Sequence, residues 1–165
     1  VWVCLIQLPV LLINQIDDTA PISLVDVLAL GGWCFAFVFE ALADVEKFTF
    51  RADPANRHKF ITDGLWAYSR HPNYFGEILM WTCMAAAVSA AGLAAADASL
   101  HLAWLSPAFT AVLLLKVSGV PMVQRAGEKK WGDDPAYRNY MEHTNLLLPG
   151  KPAPPLAGAK AKELM

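Results

Sequence analysis

The sequence predicts an all-α fold, a multi-pass bundle of transmembrane helices. Three observations carry that expectation. Hydrophobic residues make up 56% of the 165-residue chain, above the level of about 45–50% usual for soluble domains, and mean hydropathy is positive. The apolar residues are gathered into blocks, which a soluble fold of this size has no reason to do. The basic residues, in turn, are concentrated in two of the segments that join or follow the blocks.

Four apolar blocks follow one another, predicting four membrane segments. Residues 1–14 are too few for the roughly 20 needed to cross a bilayer, so this block is expected to be the tail of a truncated spanning helix. The chain starts at Val1 with neither the basic start nor the cleavage site of a secretory signal; a fragment lacking its N-terminal part is expected. Residues 23–43 are long enough to span, with Asp26 and Glu40 near opposite ends. Block 74–96 is Ala-rich, with Glu77 its single charge. Block 102–122 carries Pro107 early and Lys116 late.

The links set the orientation. Segment 15–22 holds Asp17 and Asp18, and 97–101 reads as a short turn with one acid. Segment 44–73 holds Lys47, Arg51, Arg57, His58, Lys59, Arg70 and His71, and Arg125, Lys129, Lys130 and Arg138 follow residue 122. Short basic loops stay in the cytoplasm, so the basic loops and the C-terminus are expected there. Residues 1–149 are read as one membrane domain and 150–165, rich in Pro, Ala and Gly, as a disordered tail. The host membrane is either a bacterial inner membrane or the endoplasmic reticulum.

Composition excludes several chemistries. Cys4, Cys34 and Cys83 sit inside apolar blocks without ligand-like spacing, so neither a disulfide framework nor a metal site is expected. A net charge of −2 gives no sign of a nucleic-acid partner. The expected partner on this ground is the bilayer. Glycine fingerprints of the Rossmann and Walker types are missing too, so any nucleotide must be held by side chains of helices and their loops.

Three clusters are candidates for that task. Glu40, Asp44, Lys47 and Arg51 are spaced four, three and four apart, which puts them within a sector of roughly 60° on one helix. Such a stripe leaving a bilayer is costly unless it faces protein, water or ligand; the plainer alternative is a row of surface ion pairs. The second cluster is GLWAYSRHPNYFGE, residues 64–77. Trp66, Tyr68 and Tyr74 offer flat faces, Arg70 and His71 offer cationic or donor groups, and Asn73 and Glu77 offer acceptors, the mixture a dinucleotide needs. With Pro72 starting a helix, Asn73, Glu77 and Trp81 share one face; an interfacial aromatic belt explains each residue singly but not that alignment. The third cluster, EKKWGDDPAYRNY at 128–140, follows the last block. Its Lys130 and Tyr140 suit an anionic ligand or lipid headgroups equally.

The segments DVEKFTFRADP, GLWAYSRHPNYFGE and KKWGDDPAYRNY, in this order and followed by LLLP, resemble the C-terminal domain of the steroid 5-alpha-reductase superfamily over residues 39–149. The resemblance is strongest to its bacterial and plant branch of steroid-reductase-like membrane proteins. It implies a helical membrane reductase that binds NADPH in a cytoplasm-facing pocket and reduces a double bond of a lipophilic, steroid-, sterol- or enone-like substrate. By that resemblance Asp44 and Arg51 match nucleotide-binding residues of the 5-alpha-reductases, as do Asn73, Glu77 and Trp81. Lys47, Arg51, Trp66, Asn73 and Tyr74 match those of sterol C14-reductases. Glu40 departs from the family, which has Asn there. The substrate-polarising groups of the family lie in an earlier helix, so no catalytic acid is assigned and this segment alone is expected to be inactive. Two other readings stand beside it. One is an isoprenylcysteine-type carboxyl methyltransferase using S-adenosylmethionine, which shares an Arg-His-Pro-x-Tyr-x-Gly run. The other is a non-catalytic lipid- or sterol-binding membrane protein.

Overall fold

The computed structural model describes residues 2–15 and 21–155. Asp17, Asp18 and the last part of the expected tail, 156–165, lie outside the described residues. Among those described, the fold is helical throughout, with no strand.

Helix α1 (Trp2–Ile6) and helix α2 (Leu8–Ile13) occupy the first expected membrane segment as two short pieces. The chain breaks at Gln7, just ahead of Pro9, whose ring and missing N–H suit a helix start. Together they are too short to count as a span. They pack instead on later elements, where Ser106 Oγ donates to the Ile6 carbonyl and Leu12 rests on a core of Ala85, Val88, Leu100 and Ala103.

Three stretches are long and apolar enough to cross a membrane: Leu24–Ala52, Pro72–Ala95 and Ala98–Trp131. The first is helix α3 (Leu24–Ala52), opened by a capping box between Ser23 and Asp26 and followed by Pro54. At 1.5 Å per residue its 29 residues run about 44 Å, longer than a hydrocarbon core of about 30 Å. The surplus of about 14 Å is comparable to the length of the charged last turns, which carry Asp44, Lys47 and Arg51.

Helix α4 (Pro72–Ala95) packs along α3. The residues that α3 buries are Ala29, Ala36 and Ala43, seven apart, so small side chains let the two backbones approach. A close approach is at Gly76, where a Cβ would lie 2.6 Å from Glu40 Cβ and 2.9 Å from the Ala36 carbonyl. Much of the remaining α3 surface is exposed and apolar, including Leu28, Phe37, Val38 and Val45, as a lipid-facing helix requires.

The third stretch is composite. A 3-10 helix (Ala98–Trp104) leads into α5 (Leu105–Val112), a π-helical turn (Leu113–Val117), and then α6 (Val120–Trp131). The expected turn at 97–101 is thereby reduced, because helical structure begins at Ala98. Likewise the last block does not end at residue 122. Pro121 in the first turn of α6 restarts the helix after the π turn and carries it to Trp131. The start of the third cluster thus belongs to this helix, and α7 (Pro135–His143), capped by Asp134, folds back beneath it.

Candidate functional site

The ends of α3 and α6, the 53–71 loop and α7 converge at one end of the bundle. Local chemistry fixes that loop. Gly64 sits at φ +59°, and a Cβ there would run into the Glu46 carboxylate, which accepts the Leu65 N–H at 2.9 Å. The next residue, Trp66, is buried and donates from Nε1 to the Ala43 carbonyl at 2.9 Å. Tyr140 of α7 donates to the Trp66 carbonyl at 2.8 Å. Ser69 Oγ donates to the Leu147 carbonyl, and Arg70 N–H to the Asn145 carbonyl. Even 150–155 touch this surface, through Gly150 N–H to the Tyr68 carbonyl and Asn139 Nδ2 to the Pro154 carbonyl.

A cavity of about 340 Å³ lies inside this frame. Of the twelve residues singled out in the sequence, it gathers Lys47, Arg51, Trp66, Arg70, His71, Lys130 and Tyr140. The sole ion pair among the described residues is Arg138–Asp133 at 3.2 Å on the surface, so the α3 stripe is not consumed by ion pairs of its own. Lys47 Nζ stands 4.6 Å from the Trp66 ring centroid. Lys130 Nζ donates to the Arg57 carbonyl at 3.0 Å and lies over the Trp131 ring.

Arg70 is the most telling of these. Its Nη1 reaches the Met141 sulfur at 3.5 Å, while its buried Nε has no hydrogen-bond partner among the described residues. Burial holds the guanidinium below its usual range. Beside it, burial first, and then the charges of Lys47 and Arg70, push His71 down to about 4, so its ring is neutral at physiological pH. Burial also raises the Tyr140 phenol, which stays a donor.

The other five residues stand elsewhere. Asp44 lines a shallow groove with Lys47, Phe48, Arg51 and Ala52, opening beside the main cavity. Asn73, Tyr74 and Glu77 line a separate inner cavity of about 160 Å³, together with Glu40, Ile6, Thr110, Leu113 and Leu114. Two contacts join the compartments: Asn73 Nδ2 donates to Asp44 Oδ1 at 3.0 Å, and Tyr74 stacks on His71 with centroids 5.0 Å apart. Trp81 reaches the site through Glu77, donating Nε1–H to its Oε1 at 2.7 Å. The single expected pocket is thus two linked ones, a basic aromatic mouth and an acidic interior.

The family model DUF1295, described as a protein of unknown function, matches residues 1–144. The chain belongs to that family. Neither a curated protein nor a solved structure matches it.

Sequence reasoning missed part of the mouth of this DUF1295 chain. Phe60 packs edge-on against Trp131 and Tyr137, with centroids 5.8 and 5.2 Å away. Trp131 and Tyr137 lay inside the third cluster, but Phe60 is isolated between Lys59 and Ile61 and gives no local signal. Gly127 admits the Tyr137 hydroxyl where any Cβ would collide with it. Thr110, buried in an apolar run, was equally silent.

Proposed function

We propose that this chain forms the cofactor-holding part of a membrane-embedded NADPH-dependent reductase of the steroid 5-alpha-reductase type, acting on a double bond of a lipophilic substrate. The observation that carries the reading is the unpartnered, buried Arg70 Nε in a cavity that also presents Lys47, Arg51 and Lys130 beside aromatic faces. An orphaned cationic donor of this kind is costly unless an anion meets it. Phosphates at the mouth and flat rings on Trp66, Tyr140 and Trp131 suit that lining. Bound there, NADPH supplies a hydride for reduction of a polarised alkene. The chain's own part is to bind the phosphates through Arg70 and its neighbours, and to orient the cofactor along the α3 stripe. From Asp44 to Arg51 that stripe rises about 10 Å.

The charge of the lining bears on the methyltransferase reading. Six Lys and Arg residues line the mouth, with no carboxylate among them. The sulfonium of S-adenosylmethionine would meet net repulsion from those six cations. In the reductase reading the mouth faces the cytoplasm of a bacterial or endoplasmic-reticulum membrane.

Titration of the purified protein in detergent with NADPH, NADH and S-adenosylmethionine tests the proposal. NADPH is expected to bind tightest, and Arg70→Ala to weaken it by about 1–3 kcal/mol, the scale of a lost charge-assisted hydrogen bond. Tight S-adenosylmethionine binding without NADPH binding would overturn the reading.

A further inference from the structure

The inner cavity has a chemistry opposite to that of the mouth. Three of its oxygens have no partner among the described residues: Glu40 Oε2, Asn73 Oδ1 and Thr110 Oγ1. Thr110 is 2% exposed, so its hydroxyl has no bulk water to turn to. The direction of the Asn73 amide is fixed by its neighbour, because Nδ2 donates to the Asp44 carboxylate, which can only accept, leaving Oδ1 as the free acceptor. Glu77 Oε1 already takes the Trp81 N–H. Glu40 and Glu77 line the same cavity, and two carboxyls in one enclosed space are relieved by a donor or cation between them. Each unmet group can accept, and buried acceptors left alone are costly.

The remaining walls are apolar. Ile6, Leu113 and Leu114 line the cavity, and Leu113 and Leu114 belong to the π-helical turn, a distortion frequent at functional sites. Its volume of about 160 Å³ is less than half the 340 Å³ of the mouth. That is room for a polar head, not for a whole lipid or a dinucleotide. Val112 and Val117, both more than half exposed on the same stretch, offer a lipid-facing path for a tail. A phosphate is excluded by the two carboxyls.

We propose that this cavity binds the head of a lipophilic molecule whose polar end donates hydrogen bonds, a long-chain alcohol or primary amine. Glu40, Asn73 and Thr110 accept from that head while the tail lies among the apolar side chains of α5 and the π turn. The inference rests on the reductase reading only in identifying this ligand with the substrate class; the site itself stands on its own geometry. Asn73 and Tyr74 then lie where the two ligands meet.

Photocrosslinking of the full chain in lipid nanodiscs tests the site, using a long-chain alcohol with a diazirine near its hydroxyl, the matching primary amine and the matching methyl ether. The alcohol, the amine or both should label peptides containing Ile6 or Leu113–Leu114, with the ether roughly tenfold weaker, as expected for a lost buried hydrogen bond. Which of the two labels more strongly separates a neutral from a cationic head. Thr110→Val and Glu40→Gln should each reduce labelling by a similar factor, and Thr110→Ser should retain it. Equal labelling by the ether in the unmutated protein overturns the proposal, as does labelling indifferent to both Thr110→Val and Glu40→Gln. NADPH titration of the same preparation separates the two claims: labelling without NADPH binding sinks the reductase reading and keeps this one, and NADPH binding without head-dependent labelling does the reverse.

Discussion

His71 connects the two compartments, since its ring lines the basic mouth and stacks on Tyr74 of the acidic interior. Its position was legible, because Pro72 must open a helix and the residue before it must sit at the entrance. Its protonation was not, because the cause is burial among Lys47 and Arg70, which only the folded chain brings together. With the folded value near 4 and the ordinary value at 6.5, the unfolded chain binds a proton in that window and the folded one does not. Stability from this group is therefore full above about pH 6.5 and lost as pH falls toward 4, by up to about 3 kcal/mol. Thermal unfolding of the wild type and His71→Gln across this range checks the sign: the wild type should lose more stability on acidification. Arg70 illustrates the same division. Its charge is plain in the sequence, but the orphaned Nε that makes it a ligand-seeking group depends on how Met141 and Tyr140 enclose it.

At the scale of elements, the contact between α3 and α4 holds the site together. Ala29, Ala36 and Ala43 form a narrow seam, and Gly76 lets Glu40 lie flush against α4. Gly76→Val should push the helices apart, costing about 1–3 kcal/mol as overpacking does, and should separate Asn73 from Asp44. A lowered thermal midpoint together with weaker NADPH binding is the expected pair of results. Unchanged stability would mean that the seam is looser than its geometry implies. The stripe on α3 was readable from periodicity alone, since four residues spaced four, three and four apart can share only one face of a helix. The π turn at Leu113–Val117 left no such mark. It arises where α5 must shift to α6, and its apolar sequence is compatible with an ordinary helix.

The whole molecule presents three spanning stretches with the basic loop, α6 end and α7 gathered on one side. Lys130 bonding to the Arg57 carbonyl and Trp131 to that of His58 show that the two basic segments share that side. Cysteine labelling checks which side it is. In a protein whose native cysteines have been replaced, Asn56→Cys should react from the cytoplasmic face and Ser99→Cys should not, and the reverse pattern would invert the orientation. Three of the four expected segments are long and apolar enough to cross, and the first block folds as α1 and α2, divided at Gln7 just ahead of Pro9.

Sequence by itself determined the helical membrane class, the three spanning stretches and the face of α3 that carries charge, because these follow from local hydropathy and a 3.6-residue period. It also singled out the side chains of the mouth, whose charge and aromaticity are visible without a fold. Only the tertiary structure decided that these residues line two adjoining cavities rather than one. Separating a cationic mouth from an acceptor-lined interior depends on where α3, α4 and α5 touch, through contacts such as Glu40 with Gly76 and Thr110 with Asn73's cavity. Those residues are distant in the chain, and no local pattern encodes their meeting.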